Sequence, residues 1–287
     1  MLKLIKKVLP IFGLVLFIRL LSNISSSAFV DSLLSISFYK VILIIFCSWF
    51  GLVAKGFRWT LIASNTNINK KDLLRLYYGA MFLGIITPGR IGEITKVQFL
   101  KDRGVEYSLA FYLTIYDRVF DVGYLLITSL FFLAYVYHFS KFLIVSIIVF
   151  MILFLFVQYF IAIKLIPQKK IFIKMLFSYL LTIMSYLVFG FGFSMLLNMS
   201  NINQIVLTTL SVTLGNLVAL VPVSIMGLGT REYVFINVLP FLSEILIISS
   251  SLVHLTLSVL ASLLFCSLFY KKDFLKIKKN KLQPKTK

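Results

Sequence analysis

Apolar runs of about 20 residues follow one another along this chain, and that is the length a helix needs to cross a hydrocarbon core of about 30 Å. They are Val8 to about Val30, Val41–Ala63, Ser108–Val136, Phe142–Ile166, Phe177–Leu197 and Ile245–Tyr270. Two further apolar stretches are interrupted. Leu73–Ile86 stops at Pro88 and Gly89 and resumes as the short limb Ile94–Leu100. Ile205–Phe241 is broken between Pro222 and Gly229. The limb ending at Ile86 holds about 14 residues, or roughly 21 Å of helix, too little to cross. A backbone broken at membrane depth survives only where protein or a water-filled cavity surrounds it. Both interrupted stretches therefore predict re-entrant hairpins, although two ordinary spans in each place give the same final orientation.

The chain is 60% hydrophobic, which excludes a soluble fold of this length and leaves room for one integral membrane domain only. Its 29 Lys and Arg against 10 Asp and Glu give a net charge of +19. Nucleic acid is not the expected partner, because most of these cations sit in short loops between apolar runs, as the positive-inside rule requires. Lys3, Lys6 and Lys7, then Lys70, Lys71 and Arg75, then Lys101 and Arg103, then Lys169, Lys170 and Lys174 mark the cytoplasmic ends, whereas Asn198–Gln204 carries no Lys or Arg. Both termini are thus expected in the cytoplasm of a multi-pass protein of the cell membrane. No small-residue cleavage site is obvious after the first run, so it is expected to stay as an anchor.

With spans so oriented, the order span, span, hairpin, span recurs upside down. The fold predicted is an all-α polytopic bundle with two opposed re-entrant hairpins in an inverted repeat. The halves cover about 1–137 and 141–270, and 271–287 forms a basic cytoplasmic tail.

The candidate chemistry lies at the breaks. The first reads TPGRIGE, where Pro88, Gly89 and Gly92 interrupt the helix and Arg90 and Glu93 follow. A helix starting near Ile91 would aim free N–H groups into the break, and Arg90 would clamp a phosphate in forked geometry. The second reads VPVSIMGLGTRE, with Pro222, Gly227 and Gly229 before Arg231 and Glu232. Neighbours on a helix point about 100° apart, so these two are expected to serve different partners. At both breaks a structural Arg–Glu pair is the competing reading. Asp117, Arg118 and Asp121 lie inside a span, the two carboxylates one turn apart on one face. A bridge to Arg90 or Arg231 would neutralise them, and proton coupling is the alternative. Arg58–Trp59 and Tyr77–Tyr78 are expected at the interface. His254 and Asn216 are expected to be packing polars, and Cys47 and Cys266 small buried hydrophobes without metal or disulfide spacing. Protease, hydrolase, P-loop and dinucleotide motifs are absent, so no catalytic residue, metal or cofactor is expected.

Asn65–Ile68, the Gly79–Glu93 stretch, YDRVFD and PVSIMGLGTRE together resemble the flippase-like domain family. This is also called the lysylphosphatidylglycerol synthase transmembrane region, the membrane half of the bacterial multiple peptide resistance factor. The resemblance covers nearly the whole chain. It implies movement between leaflets of a lipid with an anionic headgroup, either aminoacylated phosphatidylglycerol or a polyprenyl-linked lipid. A separate lipid-modifying enzyme is an implied partner. Arg90, Glu93, Asp117, Arg118, Asp121, Arg231 and Glu232 match the family's polar positions. The soluble aminoacyl-transferase domain of the full-length synthases has no counterpart here, so lysyl transfer is not expected. Met226 stands where many relatives place Gly. A membrane-embedded lysyl or glycosyl transferase, or an accessory subunit of one, is the alternative reading.

Overall fold

The computed structural model describes residues 2–22, 25–165, 171–221, 224 and 226–269, and only the backbone of 2–11, 88–90 and 165. Every regular element among them is helical. The chain begins with α1 (Leu2–Ser22), α2 (Ser26–Leu34) and α3 (Phe38–Ile62). Next, α4 (Lys70–Ile86) passes through a 3-10 turn (Pro88–Ile94) into the short α5 (Thr95–Asp102). Three long helices follow: α6 (Tyr107–Val136), α7 (Lys141–Leu165) and α8 (Ile171–Leu196). The last group is α9 (Ile202–Ala219), α10 (Thr230–Val238) and α11 (Glu244–Ser267). Among the described residues α3, α6, α7, α8, α9 and α11 are long and apolar enough to cross a membrane. Of these, α7 turns Phe142, Val149, Phe156 and Phe160 outward, an apolar surface suited to lipid.

Short polar side chains start several helices by capping orphan N–H groups. Asn69 Oδ1 accepts from the Asp72 amide at 2.9 Å, which starts α4 three residues before the apolar limb begins. Asn201 does the same for α9, and Ser243 for α11. Ser25 caps α2, so the run from Val8 to Val30, expected as one span, is bent between two helices. The described ends of α1 and α2 lie at 97° to each other. Ser and Asn side chains compete for backbone partners, so a run rich in them ends one helix and starts another.

A correction concerns the first break. The backbone from Pro88 to Ile94 winds as a 3-10 turn, and α-helix resumes only at Thr95, not near Ile91. Thr87 Oγ1 donates to the Leu83 carbonyl at 2.8 Å and accepts from the Gly92 amide at 2.7 Å. That amide is therefore not free for a ligand. Gly92 lies where a Cβ would collide with the Leu83 carbonyl, so the two limbs touch backbone to backbone.

The second break is a left-handed stretch. Met226 has φ +55°, and Gly227 and Gly229 both have φ +84°. Pro222 lies outside the described residues, as does the tail from 270. A left-handed conformation costs an L-residue about 1–2 kcal/mol, partly offset by the extra unfolded-state freedom of Gly. Met226 is largely exposed, so Met226→Gly removes little packing. It is expected to raise stability by about 0.5–1 kcal/mol, read as a higher melting temperature in detergent.

The packing has an internal regularity. α3 lies against α8 at the centre. Exchanging α3, α4, α5 and α6 for α8, α9, α10 and α11 maps one set of contacts onto another: α3·α4 onto α8·α9, α5·α6 onto α10·α11, and α4·α11 onto α9·α6. In each set a longer limb (α4 of 17 residues or α9 of 18) joins a limb of eight or nine residues that is too short to cross alone.

Candidate functional site

Charges buried in an apolar bundle must be paired, and α3 and α6 show how. Asp117 and Asp121 project one turn apart from α6. Their main partner among the described side chains is Arg58 of α3, not Arg231 as expected. Arg58 forks onto Asp121, with Nη1 to Oδ1 at 3.0 Å and Nη2 to Oδ2 at 2.9 Å. Its Nε reaches Asp117 Oδ1 at 2.9 Å, and Nη1 also meets Thr182 Oγ1 of α8 at 2.9 Å. A planar guanidinium suits this forked, fully buried geometry, which an ammonium could not reproduce. The interfacial assignment of Arg58 and Trp59 is thus overturned, since neither has any exposed surface. Tyr77 and Tyr78 are likewise buried, in the core between α3 and α4.

Two lysines extend the network. Lys96, from the first turn of α5, meets Asp117 Oδ2 at 2.9 Å and Glu93 Oε2 at 3.5 Å. Its ammonium also lies over the rings of Tyr77 and Trp59, 4.4 and 4.9 Å from their centroids. Lys55, one turn before Arg58, meets Asp121 Oδ1 at 3.0 Å and lies 4.0 Å from the Tyr186 ring centre. Glu93 completes the chain by pairing with Arg118. Gly84 of α4 makes room for Glu93, whose Cγ would lie 2.5 Å from a Cβ at that position.

Most of this cluster is closed to the outside. The side chains of Arg58, Lys96, Glu93 and Asp117 are essentially buried, but Lys55 is 15% and Arg118 27% exposed. Among the described side chains, four cations face three carboxylates. Further along α6, an apolar groove of about 330 Å³ opens between α6 and α9, lined by Thr128, Phe131, Phe132, Tyr135, Asn203 and Leu210 among others. Tyr124 and Tyr186 stack at 5.0 Å with Leu125 between the charges and this groove.

The structure thus gathers Glu93, Asp117, Arg118 and Asp121 in one place. The side chain of Arg90 lies outside the described residues. Arg231 and Glu232 form a separate, buried group. They do not serve different partners, because both reach Ser251 of α11. Arg231 Nη2 donates to Ser251 Oγ at 3.3 Å, and Ser251 Oγ donates to Glu232 Oε1 at 2.5 Å. Glu232 Oε2 accepts from the Gly229 amide at 2.6 Å, so the start of α10 is capped by its own third residue. One turn along α11, His254 Nε2 meets the Phe189 carbonyl at 3.1 Å, and the ring packs against Phe189 and Phe193, as expected of a packing residue. Cys47 and Cys266 are buried and unpaired, and no metal-holding group of side chains exists among the described residues.

Lys55, Arg58 and Lys96 were not expected at the site. Lys55 and Arg58 stand three apart on one helical face inside an apolar span, complementary to two carboxylates four apart on another. That was the available signal.

One family, described as Lysylphosphatidylglycerol synthase TM region, matches this sequence over residues 5–266. No curated protein matches it.

Proposed function

We propose that this chain, which belongs to that family and is a multi-pass membrane protein with a membrane lipid-related function, carries a phosphate-bearing lipid headgroup between leaflets while the acyl chains stay in the bilayer. The observation that carries this reading is the charged network at the first break, buried except at Lys55 and Arg118. An arginine paired with a carboxylate can exchange that partner for a phosphate, which accepts the same fork. Glu93 keeps Lys96 when Arg118 leaves it, and Lys96 keeps Asp117. The exchange therefore strands no carboxylate. The groove between α6 and α9 gives an acyl chain an apolar wall beside this path. The exchangeable contacts of the two halves support an inverted repeat, in which rocking of one half against the other would expose the headgroup to each side in turn.

The test is reconstitution in vesicles holding headgroup-labelled phosphatidylglycerol. Label is expected to cross without any donor substrate. Arg118→Gln removes a charged hydrogen bond worth about 1.5–3 kcal/mol, so transport should slow by about tenfold or more with little change in melting temperature. Formation of a modified lipid only when a donor is supplied, with no crossing, would establish the transferase reading instead.

A further inference from the structure

We infer that the network selects headgroups whose phosphate carries no compensating ammonium, and so discriminates against aminoacylated lipids. This rests on the transport reading above and narrows its substrate. The first support is a charge count. Lys55, Arg58, Lys96 and Arg118 oppose Glu93, Asp117 and Asp121, leaving one positive charge in excess. No other described carboxylate offsets it. Asp72 pairs with Arg75, Asp102 accepts from Gln98, Glu106 from Ser108, and Glu232 is held by Ser251 and the Gly229 amide. Asp31 of α2 and Glu244, the first residue of α11, take no part in the ion pairs of the network.

The second support is that every carboxylate oxygen in the network already holds a cation. Asp117 Oδ1 takes Arg58 and Oδ2 takes Lys96. Asp121 Oδ1 takes Arg58 and Lys55, and Oδ2 takes Arg58 again. Glu93 Oε2 takes Lys96 and Oε1 takes Arg118. The nearest aromatic faces are occupied too, Tyr186 by Lys55 and both Tyr77 and Trp59 by Lys96. An arriving ammonium must compete with a resident cation at every carboxylate and meets net positive charge. An arriving phosphate finds the two partly exposed cations, Lys55 and Arg118, and cancels the excess. Phosphatidylglycerol and a polyprenyl monophosphate both meet this condition, whereas lysylphosphatidylglycerol, with two ammonium groups on one phosphate, does not.

Lys55→Gln tests the idea at small structural cost, because Asp121 keeps both oxygens on Arg58. Vesicles carry labelled phosphatidylglycerol, polyprenyl monophosphate or lysylphosphatidylglycerol. The wild-type protein is expected to move the first two about tenfold faster than the third, a discrimination of about 1.4 kcal/mol. Lys55→Gln should shrink that preference to about twofold by slowing the anionic lipids. Equal or faster movement of the lysylated lipid by the wild type overturns the inference, as does a preference unchanged in Lys55→Gln. If no lipid moves, the transport reading fails and binding decides the selectivity. A rise in melting temperature with phosphatidylglycerol but not with its lysylated form upholds it, and equal shifts with both overturn it.

Discussion

Arg58→Met is expected to leave little folded protein in detergent. The substitution removes the one group that bridges Asp117 and Asp121, and it leaves each carboxylate with a single lysine, Lys96 and Lys55 respectively, in a site with almost no access to water. Breaking a buried pair outright costs about 3–5 kcal/mol, and since the two lysines keep part of the compensation the loss is expected at the lower end of that range. Total stabilities run to about 5–15 kcal/mol, so this loss is a large fraction of the whole. Arg58→Lys keeps the charge but not the fork, and should fall between the two. Adding Asp121→Asn to Arg58→Met removes one of the two under-paired carboxylates and should recover part of the loss. Melting temperature and monodisperse yield are the measurements. A wild-type melting temperature for Arg58→Met would mean that the network does not hold the bundle together.

Gly229→Ala is expected to be nearly as damaging, for steric reasons. Gly229 has φ +84°, a conformation that costs other residues about 1–2 kcal/mol. A Cβ there would also strike the backbone carbonyl of Gly13 on α1, with the Phe17 amide 2.9 Å away. Backbone cannot rotate aside as a side chain can, so α1 must shift, which adds about 1–3 kcal/mol. The two terms together give about 2–5 kcal/mol. Gly104→Ala separates them. Gly104 has the same φ of +84° but nothing within 4 Å of the added carbon, so it should lose the conformational term alone. Equal losses at the two glycines would show that the crossing with α1 contributes nothing.

The apolar runs marked the long helices closely. The ends of α3, α6, α7 and α11 fall within a few residues of the expected limits, because a desolvated backbone has no alternative to helix in such runs. Both breaks were also visible, since Pro and Gly in an apolar stretch have few other uses. The partner of the α6 carboxylates was not. Spacing along a helix tells which residues share its face, but not which neighbouring helix that face meets. Arg58 stands four residues from the end of α3, where a long cation ordinarily snorkels to the surface, and its neighbour Trp59 fits the same picture. Only the packing of α3 on α6 and α8 turns both inward. The 3-10 turn was hidden for a related reason. It depends on Thr87 bonding across the break and on two backbones touching at Gly92, neither of which is a property of local sequence. Arg231 and Glu232 were expected to serve different partners, yet they share one, Ser251, which lies on a later helix.

The bridge between α3 and α6 also constrains how the protein is made. During synthesis α3 reaches the membrane well before α6, bringing Lys55 and Arg58 without the carboxylates that later hold them. α6 then arrives with Asp117, Arg118 and Asp121, far from either of its ends. A lone charge at the centre of an inserting helix costs about 2.5–3.5 kcal/mol, so each helix is a poorer candidate for insertion alone than its hydropathy suggests. Between them the chain must lay down α4, the broken turn and α5, and it is Glu93 and Lys96 from that segment that close the circuit. The final depth of α3 is therefore settled late, when its cations meet their partners. Biogenesis of this half is a cooperative event spanning residues 55–121, and a variant lacking one charge can fail at the insertion machinery before it ever fails as a folded protein.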